Sequence, residues 1–302
     1  MEYKFFTTMC CAILSTFLCF AQPKEGSQIF NFNDKDVHIY TKGIQHRQPG
    51  QPVLIFESAL GIPLENWYGL FDKMQDSLPV FAYDRAGIGK SEFTNNAPTP
   101  EFVASRLHNI LKQLDISPPY VLVAHSWGGP LINSFAVQFP DDVAGMVFID
   151  TSDIINRNET YLQAIKIASN GKVTTNVIQE KMNEAINRLP PSFKTEWEVV
   201  NNLTNDEKLD PNRFTPKIVV PTAILVGPRY DPAPVDLGVT EFDLKDFYSE
   251  AMKLTIMKKQ EIVRGNPHGL FLVVNNIGHL MHAENPELIA NIVEEIYRMS
   301  SK

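Results

Sequence analysis

One stretch near the middle of the chain, 120-YVLVAHSWGG-129, specifies the architecture of the protein. Its first four residues are apolar, as in a buried strand, and residues 130–139 have helical periodicity. Between them lies Ser126, with Ala124 two residues before it and Gly128 two residues after it. A sharp strand-to-helix reversal strains the central residue, and its neighbours must be small for the two backbone segments to pass closely. The stretch therefore predicts a serine hydroxyl exposed at a strand end, beside a helix N-terminus that favours negative charge.

This order of small residue, x, serine, x, glycine resembles the nucleophile turn of the α/β-hydrolase superfamily, in which the usual sequence is Gly-x-Ser-x-Gly. Ala124 stands here in place of the first glycine. The resemblance covers most of the chain from about Gln28 onward and is closest to the serine-nucleophile branch, with its esterases, lipases and peptidases. It implies an α/β fold with a mostly parallel central sheet, helices on both faces and an inserted helical cap.

The rest of the chain alternates short apolar runs with helical periodicities, which supports the same fold class. Runs without a polar face lie at residues 52–56, 80–83, 120–123, 143–149, 222–226 and 270–274. Such strands, interleaved with helices, indicate a parallel sheet covered on both sides. Residues 28–33 and 37–41 instead alternate apolar and polar side chains around a turn, which predicts an antiparallel hairpin at one sheet edge.

Between Asp150 and Pro221 the strand rhythm stops, and helix-like spacing takes its place. Members of the superfamily often carry a helical cap over the nucleophile at this place in the chain. We therefore predict a hydrolase core formed by residues 22–150 and 217–302, with a cap or lid inserted at residues 151–216. The alternative is a helical surface excursion with no role in substrate binding.

The N-terminal residues 1–21 have the pattern of a secretory signal peptide. Lys4 precedes an apolar run over residues 5–20, and cleavage is expected after Ala21. All three cysteines lie inside this segment, so the mature chain would have no thiol for a disulfide or a thiolate metal site. We expect a secreted or periplasmic protein, and an uncleaved N-terminal anchor is the alternative.

The acidic charge balance argues against two classes of partner. A formal net charge of -8 at pH 7 disfavours nucleic acid and anionic membrane surfaces.

Gly89-Lys90-Ser91 resembles the end of a phosphate-binding loop, but that motif needs a glycine where Asp84 stands. We predict a small-molecule substrate, no metal or organic cofactor, and no stable membrane insertion after signal cleavage. The oligomeric state is left open.

A serine hydroxyl becomes a good nucleophile when a neutral imidazole, oriented by a carboxylate, removes its proton. Asn276-Ile277-Gly278-His279 follows the last predicted strand and resembles the histidine loop of the family. We therefore predict His279 as the base, because Gly278 suits a tight loop beyond a strand end. His282, three residues later, is the competing candidate.

The orienting acid has two candidates. Asp231 follows the predicted strand 222–226, and the order Ser126, Asp231, His279 matches the order of nucleophile, acid and histidine in the superfamily. Asp150 ends an earlier predicted strand, where some relatives place their acid. We predict Asp231 and keep Asp150 as the alternative.

Two backbone N-H groups are expected to stabilise the oxyanion of a tetrahedral intermediate. One is that of Trp127, directly after the nucleophile. The other is assigned to Leu60, within one residue either way, because it lies in the loop after the first parallel strand where relatives often have a His-Gly pair. The indole of Trp127 is expected to line the acyl pocket.

Together these residues predict a serine hydrolase that cleaves a small carboxylic ester through an acyl-enzyme on Ser126. The same triad in relatives also cleaves amide, peptide or carbon-carbon bonds. A ligand-binding protein that keeps the fold with little turnover is the candidate from a different class.

Overall fold

The structure is a computed structural model that describes residues 23–217, 219–231 and 237–301. The predicted signal peptide, with the three cysteines, lies outside the described residues, so export stays a prediction. Within those three ranges, no helix combines the length and the apolar character that a bilayer crossing requires.

An eight-stranded sheet runs through the described residues in the order β1-β2-β4-β3-β5-β6-β7-β8. The strands are β1 Gly26–Phe32, β2 Lys35–Lys42, β3 Val53–Glu57, β4 Val80–Tyr83, β5 Tyr120–His125, β6 Val143–Ile149, β7 Thr222–Val226 and β8 Gly269–Val273. β2 pairs antiparallel with β1 and β4, and the remaining neighbours pair parallel. The predicted edge hairpin and the mostly parallel sheet are therefore confirmed.

Helices cover both faces of this sheet, as the apolar strands require. The helices are α1 Tyr68–Phe71, α2 Pro100–Gln113, α3 Gly128–Gln138, α4 Arg157–Ala168, α5 Val177–Ile186, α6 Pro191–Thr204, α7 Leu244–Val263, α8 Met281–Glu284 and α9 Pro286–Ser300. In β5, Leu122 and Ala124 pack with α2 and α3, whereas Val121 and Val123 pack with α1 and α9. Successive side chains of a strand point to opposite faces, so a strand between two helical layers has no polar side.

Helices α4, α5 and α6 lie between β6 and β7, and we call residues 151–216 the insertion. Buried side chains of α5 and α6, among them Ile186 and Trp197, share a core cluster with Trp127 and Leu131 of the sheet domain. α4 packs separately against α7, where Ala164 meets Phe247 in a second cluster. The insertion therefore has two apolar attachments to the rest of the described chain.

A buried ion cluster adds a third attachment. The guanidinium of Arg85 donates to Glu57 at the end of β3 at 2.7 Å and to Glu196 of α6 at 2.5 and 2.8 Å. Its remaining N-H groups donate to the carbonyls of Ser58 and Ala59 at 2.9 and 2.7 Å. All five N-H donors of the guanidinium are thus satisfied. The cluster of Glu57, Arg85 and Glu196, each at most 3% exposed, therefore holds the insertion against the sheet.

Removing the Arg85 guanidinium leaves two buried carboxylates facing each other without a cation. We expect Arg85→Met to lower the free energy of unfolding by about 3–5 kcal/mol, measured by urea denaturation. Arg264→Met is the matched control because Arg264 forms an ion pair with Glu261 at the surface, and its effect should stay within about 0.5 kcal/mol. Equal, small losses in both variants would contradict a structural role for the cluster.

Candidate active site

Ser126 occupies the predicted reversal between β5 and α3. Its φ of 52° lies in the left-handed region, which is strained for a residue with a Cβ. The reversal brings the backbone of Gly128 so close to β3 that a Cβ there would lie 2.4 Å from the carbonyl oxygen of Glu57. The Ser126 carbonyl accepts N-H groups from Gly129 at 3.1 Å and Ser152 at 2.9 Å. The side chain is partly exposed while the strand before it is buried.

His279 is held by a carboxylate. Its Nδ1 lies 2.7 Å from Oδ2 of Asp150, the residue that directly follows β6, and Oδ1 of the same aspartate accepts the N-H of Gly227 at 3.3 Å. Asp150 is 9% exposed. An imidazole that donates from Nδ1 to a carboxylate has its lone pair on Nε2. The pair therefore offers a proton acceptor at Nε2 of His279.

The prediction that Asp231 orients His279 is corrected by this geometry. Both carboxylate oxygens of Asp231 accept from Arg229, at 2.9 and 3.2 Å. The same guanidinium also binds Glu284 at 2.8 and 3.0 Å and the Asn276 carbonyl at 2.6 Å. Asp231 does approach the histidine loop, since a Cβ on Gly278 would overlap its carboxylate. Its charge is committed to Arg229 on the exposed side of that loop, and the alternative candidate, Asp150, lies on the buried side.

A cavity of about 460 Å³ brings the predicted residues together. Ser126, Asp150 and His279 line it together with Leu60 and Trp127. Its opposite wall comes from the insertion, with Tyr161, Ile186, Leu189, Phe193 and Trp197 among the lining residues. Apolar walls around a small polar group are typical of a site for a small organic molecule.

Matched amide substitutions distinguish the roles of Asp150 and Asp231. We expect Asp150→Asn to slow labelling of Ser126 by a fluorophosphonate roughly 10³-fold or more, because the amide no longer holds the required tautomer of His279. Asp231→Asn should change the labelling rate less than about threefold, since it disturbs only an exposed ion pair. A larger loss in Asp231→Asn than in Asp150→Asn would restore Asp231 as the acid.

Both predicted oxyanion donors lie at the cavity. Trp127 directly precedes α3, and Leu60 belongs to the loop after β3 whose carbonyls at Ser58 and Ala59 bind Arg85. The next N-H along this loop, that of Gly61, donates to Glu196 of the insertion at 2.6 Å. The loop is thereby fixed on both sides of Leu60. The Trp127 indole is buried against the insertion, and its Nε1 is without a hydrogen-bond partner among the described residues.

The imidazole of His279 packs in a group of three with those of His125 and His282. The ring of His125 lies 4.6 Å from the rings of both His279 and His282, and its Nε2 donates to the His279 carbonyl at 2.9 Å. His282, the competing base candidate, is 1% exposed, with Nε2 2.6 Å from the side-chain amide of Asn66. Burial lowers the pKa of His282 to about 4 and holds the pKa of His125 well below its usual range. Both rings are therefore neutral supports of the histidine loop near pH 7.

These lowered pKa values predict a loss of stability in acid. Unfolded histidines bind a proton as pH falls through about 6.5, whereas His282 stays neutral in the folded chain down to about pH 4. Its contribution is therefore present above pH 6.5 and lost as pH falls from there toward 4, by about 2 kcal/mol between pH 7 and 5. We expect His282→Gln to flatten this part of the stability profile, measured by urea unfolding at each pH. An unchanged slope would show that His282 does not take part.

Two cavity-lining cations were not anticipated from the sequence. Lys259 of α7 is 3% exposed, and its amine donates to the carbonyl of Thr151, the residue after Asp150; burial lowers its pKa. A signal existed, because Lys259 continues the four-residue spacing of Phe247, Ala251 and Thr255 on one side of α7. Arg157, at the start of α4, gave no such signal.

One group of potential metal ligands lies away from this cavity. The ligand atoms of His38, Glu65 and Asp84 lie within 4.8 Å of one another. His38 Nδ1 contacts Asp84 at 2.7 Å, Glu65 pairs with Lys90 at 2.9 Å, and Asp84 also accepts the N-H of Leu64 at 2.7 Å. These contacts engage most of the ligand atoms within the protein, and a metal would have to displace the Lys90 ammonium.

Comparison with known proteins agrees with this fold. A family model described as alpha/beta hydrolase fold matches residues 51–176. The uncharacterized protein YqjL of Bacillus subtilis is 36% identical over 107 residues, which are 35% of this chain and 42% of that protein. An AB hydrolase superfamily protein of Gibberella zeae is 26% identical over 135 residues, 43% of this chain and 41% of that protein. The chain thus spans about two fifths of the length of these curated relatives.

Solved structures match over nearly the whole chain. A thermophilic esterase from Thermogutta terrifontis has a TM-score of 0.57 at 20% identity, covering 91% of this chain and 99% of that one. Naproxen esterase (carboxylesterase NP) from Bacillus subtilis has a TM-score of 0.54 at 16% identity, covering 91% and 92%. At such identities the similarity concerns the fold. The sheet, the serine turn and these matches define an α/β-hydrolase fold, and the family model and the relatives support the α/β-hydrolase superfamily as the family of this chain.

Proposed function

We propose that the chain is a serine hydrolase that cleaves small carboxylic esters through an acyl-enzyme on Ser126. The observation that carries this proposal is the 2.7 Å contact between Asp150 and Nδ1 of His279 at the cavity that also contains Ser126. The contact sets the tautomer in which Nε2 can accept a proton. The esterases among the structural neighbours support the ester as the substrate class.

The proposed reaction uses these groups in two half-reactions. Nε2 of His279 accepts the hydroxyl proton of Ser126 as Oγ attacks the carbonyl carbon, and the N-H groups of Trp127 and Leu60 bind the resulting oxyanion. Collapse breaks the carbon-oxygen bond of the ester, and the alcohol leaves with the proton from His279. A water molecule then gives a proton to His279 and attacks the acyl carbon. Collapse of the second intermediate breaks the bond to Oγ, His279 returns the proton to Oγ, and the carboxylic acid is released.

The insertion serves as a cap in this proposal. Its apolar side chains form the cavity wall opposite Ser126, and a cover of this kind excludes water from the reacting carbonyl. The cap also fixes the loop of residues 58–61 after β3, which we call the oxyanion loop, because Glu196 binds the N-H of Gly61. The buried contact between Glu196 and Gly61 therefore connects the cap, which lines the cavity, to the loop that would stabilise the oxyanion.

Hydrolysis of p-nitrophenyl butyrate tests the proposal. We expect Ser126→Ala to lower kcat/KM by about 10³-fold or more, because the acyl-enzyme cannot form. Ser105→Ala, which removes a hydroxyl from α2, should retain full activity.

The results separate the alternative functions. Fluorophosphonate labelling that needs Ser126, without ester turnover, would replace the ester by an amide or a carbon-carbon bond as substrate. Labelling and turnover that do not respond to Ser126→Ala would overturn a serine mechanism and leave a binding protein.

A further inference from the structure

Arg157 is a cation at the cavity with no acidic partner among the described residues. It begins α4 and lines the same cavity as Ser126 and His279. Among the described residues, no carboxylate forms an ion pair with its guanidinium. Its buried Nε has no hydrogen-bond partner there either. A desolvated donor left unpaired costs stability, so this position in the cavity calls for a ligand.

Two aromatic rings hold the guanidinium in place. Its Cζ lies 5.2 Å from the ring centroid of Tyr161, one turn along α4, and 5.2 Å from that of Trp197 in α6. The indole of Trp197 is fixed in turn by a hydrogen bond to Asn183 at 2.7 Å. Ring faces attract a cation without using its N-H donors. The rings therefore position the planar guanidinium of Arg157 without using its N-H donors.

The other charged groups of the cavity are already committed. Asp150 binds His279, and Lys259 donates to Thr151. Asp153 accepts the backbone N-H groups of Ile155 and Asn156 at 3.1 and 3.0 Å. Of the described charged residues that line this cavity, Arg157 alone lacks such a contact.

We infer that Arg157 binds a carboxylate carried by the substrate, so that the preferred substrates are esters with a free carboxylate at a distance from the scissile bond. This inference rests on the proposed ester hydrolysis. A planar carboxylate matches the guanidinium fork in two parallel hydrogen bonds. One guanidinium with available N-H donors matches a monoanion better than a phosphate monoester, which carries close to two charges at pH 7. Arg157 is thus a specificity residue at the cap side of the cavity.

The test compares p-nitrophenyl hemisuccinate, hemiglutarate and hemiadipate with neutral p-nitrophenyl esters of matched length. We expect at least one hemiester to exceed its neutral counterpart in kcat/KM. Arg157→Met should lower the hemiester to neutral ratio about 10- to 100-fold. Arg157→Lys, which keeps the charge without the fork, should retain part of the ratio. Arg188→Met, at an exposed arginine of the insertion, removes the same charge and should leave the ratio unchanged.

Two results would overturn the inference that Arg157 binds a substrate carboxylate. If Arg157 serves only to join Tyr161 and Trp197, Arg157→Met would lower both substrate classes together and leave the ratio unchanged, which would overturn the inference. Neutral esters preferred over all three hemiesters by the wild-type chain would overturn it as well. Because Arg157→Lys keeps a cation on the rings, it tests the fork even if Arg157→Met does not fold.

A binding measurement separates this inference from the proposed function. Calorimetry of glutarate with the Ser126→Ala chain requires no turnover, and adding Arg157→Met should weaken binding at least 10-fold. Failure of ester turnover with retained, Arg157-dependent glutarate binding would overturn the reaction and support the carboxylate site. Turnover that requires Ser126, combined with glutarate binding indifferent to Arg157, would support the reaction and overturn the carboxylate site.

Discussion

The five hydrogen bonds of one buried guanidinium hold the sheet, the oxyanion loop and the insertion in one arrangement. Arg85 binds Glu57 at the end of β3, two carbonyls of the following loop, and Glu196 in α6. Desolvated charges of this kind contribute little net stability compared with an apolar core, but removing one partner is costly. The cluster therefore sets geometry, because the loop that presents Leu60 cannot shift without breaking its contacts to the Arg85 guanidinium and to Glu196.

A second constraint places the reacting groups side by side. β5 and β6 are parallel neighbours, with His125 opposite Ile149, so the next residue of each strand, Ser126 and Asp150, emerges at the same sheet edge. Both residues have positive φ, 52° and 42°. Backbone strain at two adjacent strand ends is typical of a functional site. The surrounding core, buried on both faces of the sheet, is rigid enough to maintain it.

The sequence carried local information well and long-range information poorly. The strand before Ser126, the small residues around it and the glycine before His279 are local features, and the structure places them as predicted. The choice between Asp231 and Asp150 depended on which side of the Gly278 loop each carboxylate lies, and on Arg229 capturing Asp231. Strand order along the chain contains neither fact. The Arg85–Glu196 contact joins residues 111 positions apart and has no periodic signature.

Arg157 shows the same limit for specificity. An arginine at the start of a helix is ordinary in sequence, and its meaning depends on two rings from different helices and on the absence of an acidic partner among the described residues. Lys259 could have been recognised from its place on the buried side of α7. The proposed nucleophile and base were therefore accessible to pattern analysis, whereas the choice of acid and the residue proposed to select the ligand required the packed structure.

The insertion starts at the residue after Asp150, so part of the cavity wall and the strained serine turn belong to separate segments of the chain. Replacement of the segment beyond Ser152 by another helical module would exchange the cavity wall and its cation while the strained serine and its acid stay on the sheet. Glu196 and its bond to the oxyanion loop would be lost in such an exchange. A functional recombinant therefore needs a carboxylate at the equivalent place, because Glu196 accepts from both the Gly61 N-H and the Arg85 guanidinium.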